Sequence, residues 1–93
     1  MKKNKILYFN TETINSDALE SSLKKDVNYL SHIEIKPGLL LVSFQGSAKN
    51  MYDILSNVIN ENSILIYDLD NSEDAYWGYM NKNIWDWIKA NNN

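Results

Sequence analysis

Residues 5–10 (Lys-Ile-Leu-Tyr-Phe-Asn) and 39–45 (Leu-Leu-Leu-Val-Ser-Phe-Gln) carry apolar side chains on both faces of an extended strand. A strand of that kind belongs in the middle of a sheet, because an edge strand normally turns one polar face to water. Residues 29–36 have the edge pattern, with Tyr29, Ile33 and Ile35 on one face and His32, Glu34 and Lys36 on the other. Pro37-Gly38 marks a tight turn, since proline fixes φ and glycine tolerates a positive one, so residues 29–36 fold back on 39–45. The fold must therefore seat 5–10 beside 39–45, with 29–36 outside them.

Two amphipathic helices fit between these strands. Asn15, Ser16 and Asp17 offer N-cap side chains for a helix from about 17 to 26, with Ala18, Leu19, Leu23 and Val27 as its buried stripe. Ser47 caps a second over about 48–60, where Ala48, Met51, Tyr52, Leu55, Val58 and Ile59 recur at helical spacing. Residues 63–69 (Ser-Ile-Leu-Ile-Tyr-Asp-Leu) supply a fourth strand. The order β-α-β-β-α-β predicts a ferredoxin-like α+β sandwich, and right-handed crossovers place the strands in the order 4-1-3-2. Beyond residue 70 the pattern permits two structures. Asp74 can cap a helix lined by Tyr76, Met80, Ile84, Trp87 and Ile88, or strands at 76–80 and 84–88 can form a hairpin turning at Asn81-Lys82-Asn83. A C-terminal helix is the favoured expectation, and residues 1–93 are read as one domain.

Composition narrows the chemistry. The chain has no cysteine, which removes disulfides, zinc–thiolate sites and thiol nucleophiles. No apolar run approaches the ~18 residues of a membrane span, and the Lys2, Lys3, Lys5 start leads into too short an apolar stretch for a signal peptide. A cytoplasmic protein without membrane contact is the expectation. Nine lysines stand against no arginine, and Lys, Asn, Ile and Tyr make up 39 of the 93 residues, the usage of an AT-rich genome such as that of a low-GC bacterium or its phage. Arginine is the usual fork for phosphates and guanine edges, so its absence and the net charge of −3 argue against nucleic-acid binding.

Two stretches nevertheless resemble known families. Ile6-Leu7-Tyr8-Phe9-Asn10-Thr11 and the octapeptide Pro37-Gly38-Leu39-Leu40-Leu41-Val42-Ser43-Phe44 resemble the two conserved strands of an RNA-recognition motif domain. The resemblance covers residues 5–69 and implies the same fold. It also places Leu7, Leu39 and Leu41 where that family stacks bases on aromatic rings, so the RNA-binding function does not carry over. With both helices on one side, Leu7, Phe9, Leu39 and Leu41 are expected to line the other face of the sheet, covered by the C-terminal aromatics or by a dimer partner. Second, Ile64-Leu65-Ile66-Tyr67-Asp68-Leu69-Asp70-Asn71-Ser72 is similar to the first motif of haloacid-dehalogenase phosphohydrolases, whose first Asp is the nucleophile. Only 21 residues follow Ser72, too few for the rest of such a site. The same acids do not make a Ca²⁺ loop either, because Glu73 and Tyr79 stand where Gly and Glu are needed. His32, the only histidine, reads as a solvated strand residue beside Glu34, and Ser47 as a helix cap. No nucleophile–base–orienter set assembles, and neither enzyme, metal nor cofactor is expected.

The charges are uneven. Residues 1–46 hold six Lys and five acids, a balance of +1, whereas 47–93 hold three Lys and seven acids, a balance of −4. Asp68, Asp70, Glu73 and Asp74 are followed at once by Tyr76 and Trp77, and all three tryptophans lie beyond residue 76. Clustered carboxylates steer a basic partner and aromatic rings anchor it, so these six residues are the candidate partner-binding site. A solvated turn with core aromatics behind it is the other reading of the same residues. The sequence thus points to a small acidic inhibitor that blocks a protein target by stoichiometric binding, as an immunity protein, antitoxin or phage counter-defence protein does. The alternative is a homodimeric ligand-binding or regulatory module using the apolar sheet face.

Overall fold

A computed structural model describes residues 4–59, 64–69, 78 and 81–91. It is an α+β structure in which β1 (Asn4–Phe9), β2 (Tyr29–Lys36), β3 (Leu39–Phe44) and β4 (Ile64–Asp68) form one antiparallel sheet in the order β2-β3-β1-β4. Read from the other edge this is the expected 4-1-3-2, with β1 and β3 at the centre. α1 (Ser16–Lys24) and α2 (Ala48–Ile59) pack on one face. The core between them and the sheet is Leu7, Phe9, Leu40, Val42 and Phe44 from the strands, with Leu19, Leu23, Met51, Leu55 and Ile59 from the helices.

Local signals explain the boundaries. Asn15 caps α1, its Oδ1 accepting from Ala18 N at 2.9 Å. Ser47 caps α2, its Oγ accepting from Asn50 N at 3.0 Å. α1 stops earlier than expected, and a turn closed by Tyr29 N donating to Asp26 O at 3.1 Å lifts Val27 out of the stripe, leaving it 91% exposed. Gly38 adopts φ +86°, and Phe9 N donates to its carbonyl at 2.8 Å. A Cβ there would lie 2.5 Å from Phe9 O, so the β2–β3 turn requires glycine for space as well as for φ.

The strand phase differs from expectation. Leu7 pairs with Leu40, while Ile6 pairs with Leu41 and Tyr8 with Leu39. Directly opposed residues share a face, so Leu7 and Phe9 lie under the helices and Leu39 and Leu41 face the other way. The four do not line one surface, and the three leucines at the base-stacking positions are split between two faces. In β2, register shifts between Tyr29 and Ser31 and between Glu34 and Lys36 break the simple alternation. Tyr29 and His32 consequently share the helix side, and Lys36 leaves it.

The C-terminal element is α3 (Lys82–Asn91). Residues 84–88 are helical, which removes the second strand of the hairpin alternative; Asp74, Tyr76 and Met80 lie outside the described residues. α3 sits on the face opposite α1 and α2, since Ser31 Oγ donates to Asn91 Oδ1 at 2.9 Å and Ser31 shares its face with Ser43 and Leu41. Ile84 and Leu41 are buried there, outside the main core, with Trp85 and Trp87 half-buried. α3 thus covers the β2–β3 half of the second face, over Leu41 but not over Leu7 and Phe9, which the sequence expectation places there too.

Candidate protein-docking face

The β1–β4 half of that second face is different. Tyr8 stands opposite Leu65 and Ile6 opposite Tyr67, four apolar side chains on one surface. Tyr8, Leu65 and Tyr67 are 47%, 57% and 65% exposed. Their placement follows from the period of two: Leu7, Ile64 and Ile66 enter the core, so the residues between them cannot. Three large apolar side chains adjacent in register exceed the scattered surface residues usual in soluble proteins.

Of the six candidate residues, Asp68 is described, and Asp70, Glu73, Asp74, Tyr76 and Trp77 lie outside the described residues. Asp68 ends β4 and pairs with Lys5 across the sheet. Lys5 Nζ is 2.9 Å from Asp68 Oδ1, at an angle that makes the contact an ion pair rather than a directed hydrogen bond. It also donates to Phe44 O at 3.3 Å and lies 5.8 Å from the centre of the Phe44 ring. The Lys5 side chain is 0% exposed and that of Asp68 34%. Asp68 therefore serves an internal charge on the helix side of the sheet, opposite the docking face. Lys5 was the signal for this pair, a lysine in phase with Leu7 and Phe9.

A second polar cluster joins α1 to β2. His32 is not solvated: its Nε2 is 3.1 Å from Glu20 Oε1 and its Nδ1 2.7 Å from Tyr29 Oη, with both rings partly buried. A carboxylate only accepts, so in the neutral ring Nε2 donates to Glu20 and Nδ1 accepts from the Tyr29 hydroxyl. Burial first, and the Glu20 charge second, push the Tyr29 phenol above its ordinary 10.0. That is the reverse of what an activated phenolate needs, and the cluster reads as a tie between helix and sheet. Since the folded-state value is raised, the stabilisation is complete below pH 10 and is lost as pH rises through the folded value. Ultraviolet titration should show a tyrosinate that forms only above the ordinary phenol range, and Tyr29→Phe should remove it. A tyrosine absorbance titration unchanged by Tyr29→Phe in its late part would contradict the tie.

On the second face, Asn4 Oδ1 and Ser43 Oγ are buried without a hydrogen-bond partner, as is Trp87 Nε1 of α3. Asn4 and Ser43 oppose one another on the second face. Among the described residues no group of three metal-ligating side chains occurs, and no helix is long and apolar enough to cross a membrane. Comparison with protein-family models, curated proteins and solved structures finds no match to the chain.

Proposed function

We propose that this chain is a small acidic inhibitor, built on a ferredoxin-like frame, that binds a cytoplasmic protein target through the β1–β4 half of its second sheet face. The target presents a basic surface, and inhibition is by stoichiometric occupation, without catalysis, in the manner of an immunity protein, antitoxin or phage counter-defence protein. The observation that carries this reading is the exposed row of Tyr8, Leu65 and Tyr67. In the sequence β4 is followed by Asp70, Glu73, Asp74, Tyr76 and Trp77, in a span from Lys49 to Lys82 that has no basic residue between its ends. Apolar and aromatic anchors bordered by one sign of charge suit a docking surface whose rim steers encounter.

The ion pair with Lys5 dictates how the rim is tested. Asp68 is kept, because it pairs with the buried Lys5. Against a partner recovered from the native host and purified, Asp70→Asn/Glu73→Gln/Asp74→Asn should lower the association rate roughly tenfold at low salt and flatten its salt dependence. Leu65→Ser/Tyr67→Ser should accelerate dissociation with little change in melting temperature, since both side chains are exposed. Binding kinetics unaltered by both variants would overturn the proposal.

A further inference from the structure

We propose that β4 is a pairing edge for a second copy of this chain, joining two sheets into one continuous eight-stranded sheet about a two-fold axis. Hydrogen bonding fixes which groups are available. Leu69 N donates to Asn4 O at 2.8 Å, and on the other side of β1 Phe9 N donates to Gly38 O. In an antiparallel ladder this alternation assigns residues 65, 67 and 69 to bonds with β1, and turns the N–H and C=O of Ile64, Ile66 and Asp68 to the free edge. Among the described residues nothing bonds to those outward groups.

The two edges of the sheet are unequal in defence. β2 has two register shifts, carries Glu34 and Lys36, and is tied to α3. Bulges, charges and covering elements are the usual means by which an edge avoids pairing. β4 has an unbroken register from Ile64 to Asp68, with no lysine, glutamate or proline. Its one charge is already matched by Lys5.

A second copy fits this edge because the strand is self-complementary when reversed. Centring the two-fold on Ile66 places Ile64 opposite the partner's Asp68 and Leu65 opposite the partner's Tyr67, and forms about six backbone hydrogen bonds. No like charges oppose one another. The half-exposed Leu65 and Tyr67 gain an apolar neighbour each, in the pairing that aromatic and aliphatic side chains favour across strands. The sheet face stays outward, so the Tyr8, Leu65 and Tyr67 rows of two copies merge into one band. This pairing goes beyond target binding and is tested without a target.

Sedimentation of the purified chain from about 1 µM to 1 mM is the experiment, on a concentration scale suited to weak association. The mass should rise from 10.8 kDa toward twice that value. Leu65→Lys/Tyr67→Lys sets like charges opposite one another across the two-fold and should remain monomeric throughout. Leu65→Lys/Tyr67→Glu sets opposite charges in the same two places and should associate again, more weakly as salt is added. Exchange of the Ile66 amide in the unsubstituted chain, which needs no variant to fold, should slow as concentration rises. A monomer at every concentration, equal behaviour of the two variants, or concentration-independent exchange at Ile66 would each overturn the proposal; a different protein seated on β4 while the chain alone stays monomeric would do the same.

Discussion

Asp68→Ala is expected to lower the stability by about 3 kcal/mol, whereas Lys5→Met should change it by no more than about 1 kcal/mol. The asymmetry comes from burial. Lys5 is wholly enclosed, so losing the carboxylate takes a charge partner at 2.9 Å from an ammonium buried against the Phe44 carbonyl and ring. Asp68 is one-third open to water, and losing the lysine leaves a carboxylate that solvent can still reach. That exposure also places the expected cost at the lower end of the range for broken buried pairs, since water screens part of the attraction. For 93 residues the whole stability is on the order of 5–14 kcal/mol, so the loss is a large fraction of it. Urea midpoints of the two variants decide the matter. Equal destabilisation by both would mean that the lysine does not depend on Asp68.

Phe44→Ala should be at least as severe, at about 3–5 kcal/mol. Phe44 is fully buried, faces Tyr29 across the β2–β3 ladder, and lies beneath both the lysine ammonium and Gly46. Truncation opens a cavity at the meeting point of sheet and helices and removes the ring from beneath a buried charge. Phe44→Leu keeps most of the volume and should cost about 1–2 kcal/mol. Combining Phe44→Ala with Lys5→Met tests whether ring and ammonium interact. A double variant less damaged than the sum of the two shows coupling, and simple additivity shows the ring acting through volume alone.

These two side chains illustrate what the sequence makes legible. The strands, both amphipathic helices and the sheet order follow from periodicity, and the edge character of β2 follows from its polar positions. Phase within the central strands does not. Residues 5–10 and 39–45 are apolar on both faces, so either set of alternate side chains satisfies the pattern, and only the pairing of Leu7 with Leu40 decides between them. The two register shifts in β2 hide His32 for a related reason: a bulge changes which residues share a face without altering composition. The ties from His32 to Glu20 and from Lys5 to Asp68 join separate elements, and no local pattern announces the partner. Asp68 was visible as part of an acidic cluster, but its inward commitment was not. Leu65 and Tyr67 read as strand residues, and their exposure emerges only once Ile64 and Ile66 are seen to take the core positions.

The position of β1 has a consequence for the order in which the chain can close. Its neighbours are β3 and β4, both later in the chain, while the strand next in sequence, β2, never touches it. Local contacts can form the β2–β3 hairpin at once, but β1 must wait for a loop of some thirty residues to close on one side and of about fifty-five on the other. Until β4 arrives, Lys5 lacks the Asp68 carboxylate, and the earliest strand remains an open edge. The strand that completes the sheet is the one that brings Asp68 to Lys5. Enclosing the lysine and closing the sheet are therefore one event, and the first strand of the four is the last to be enclosed.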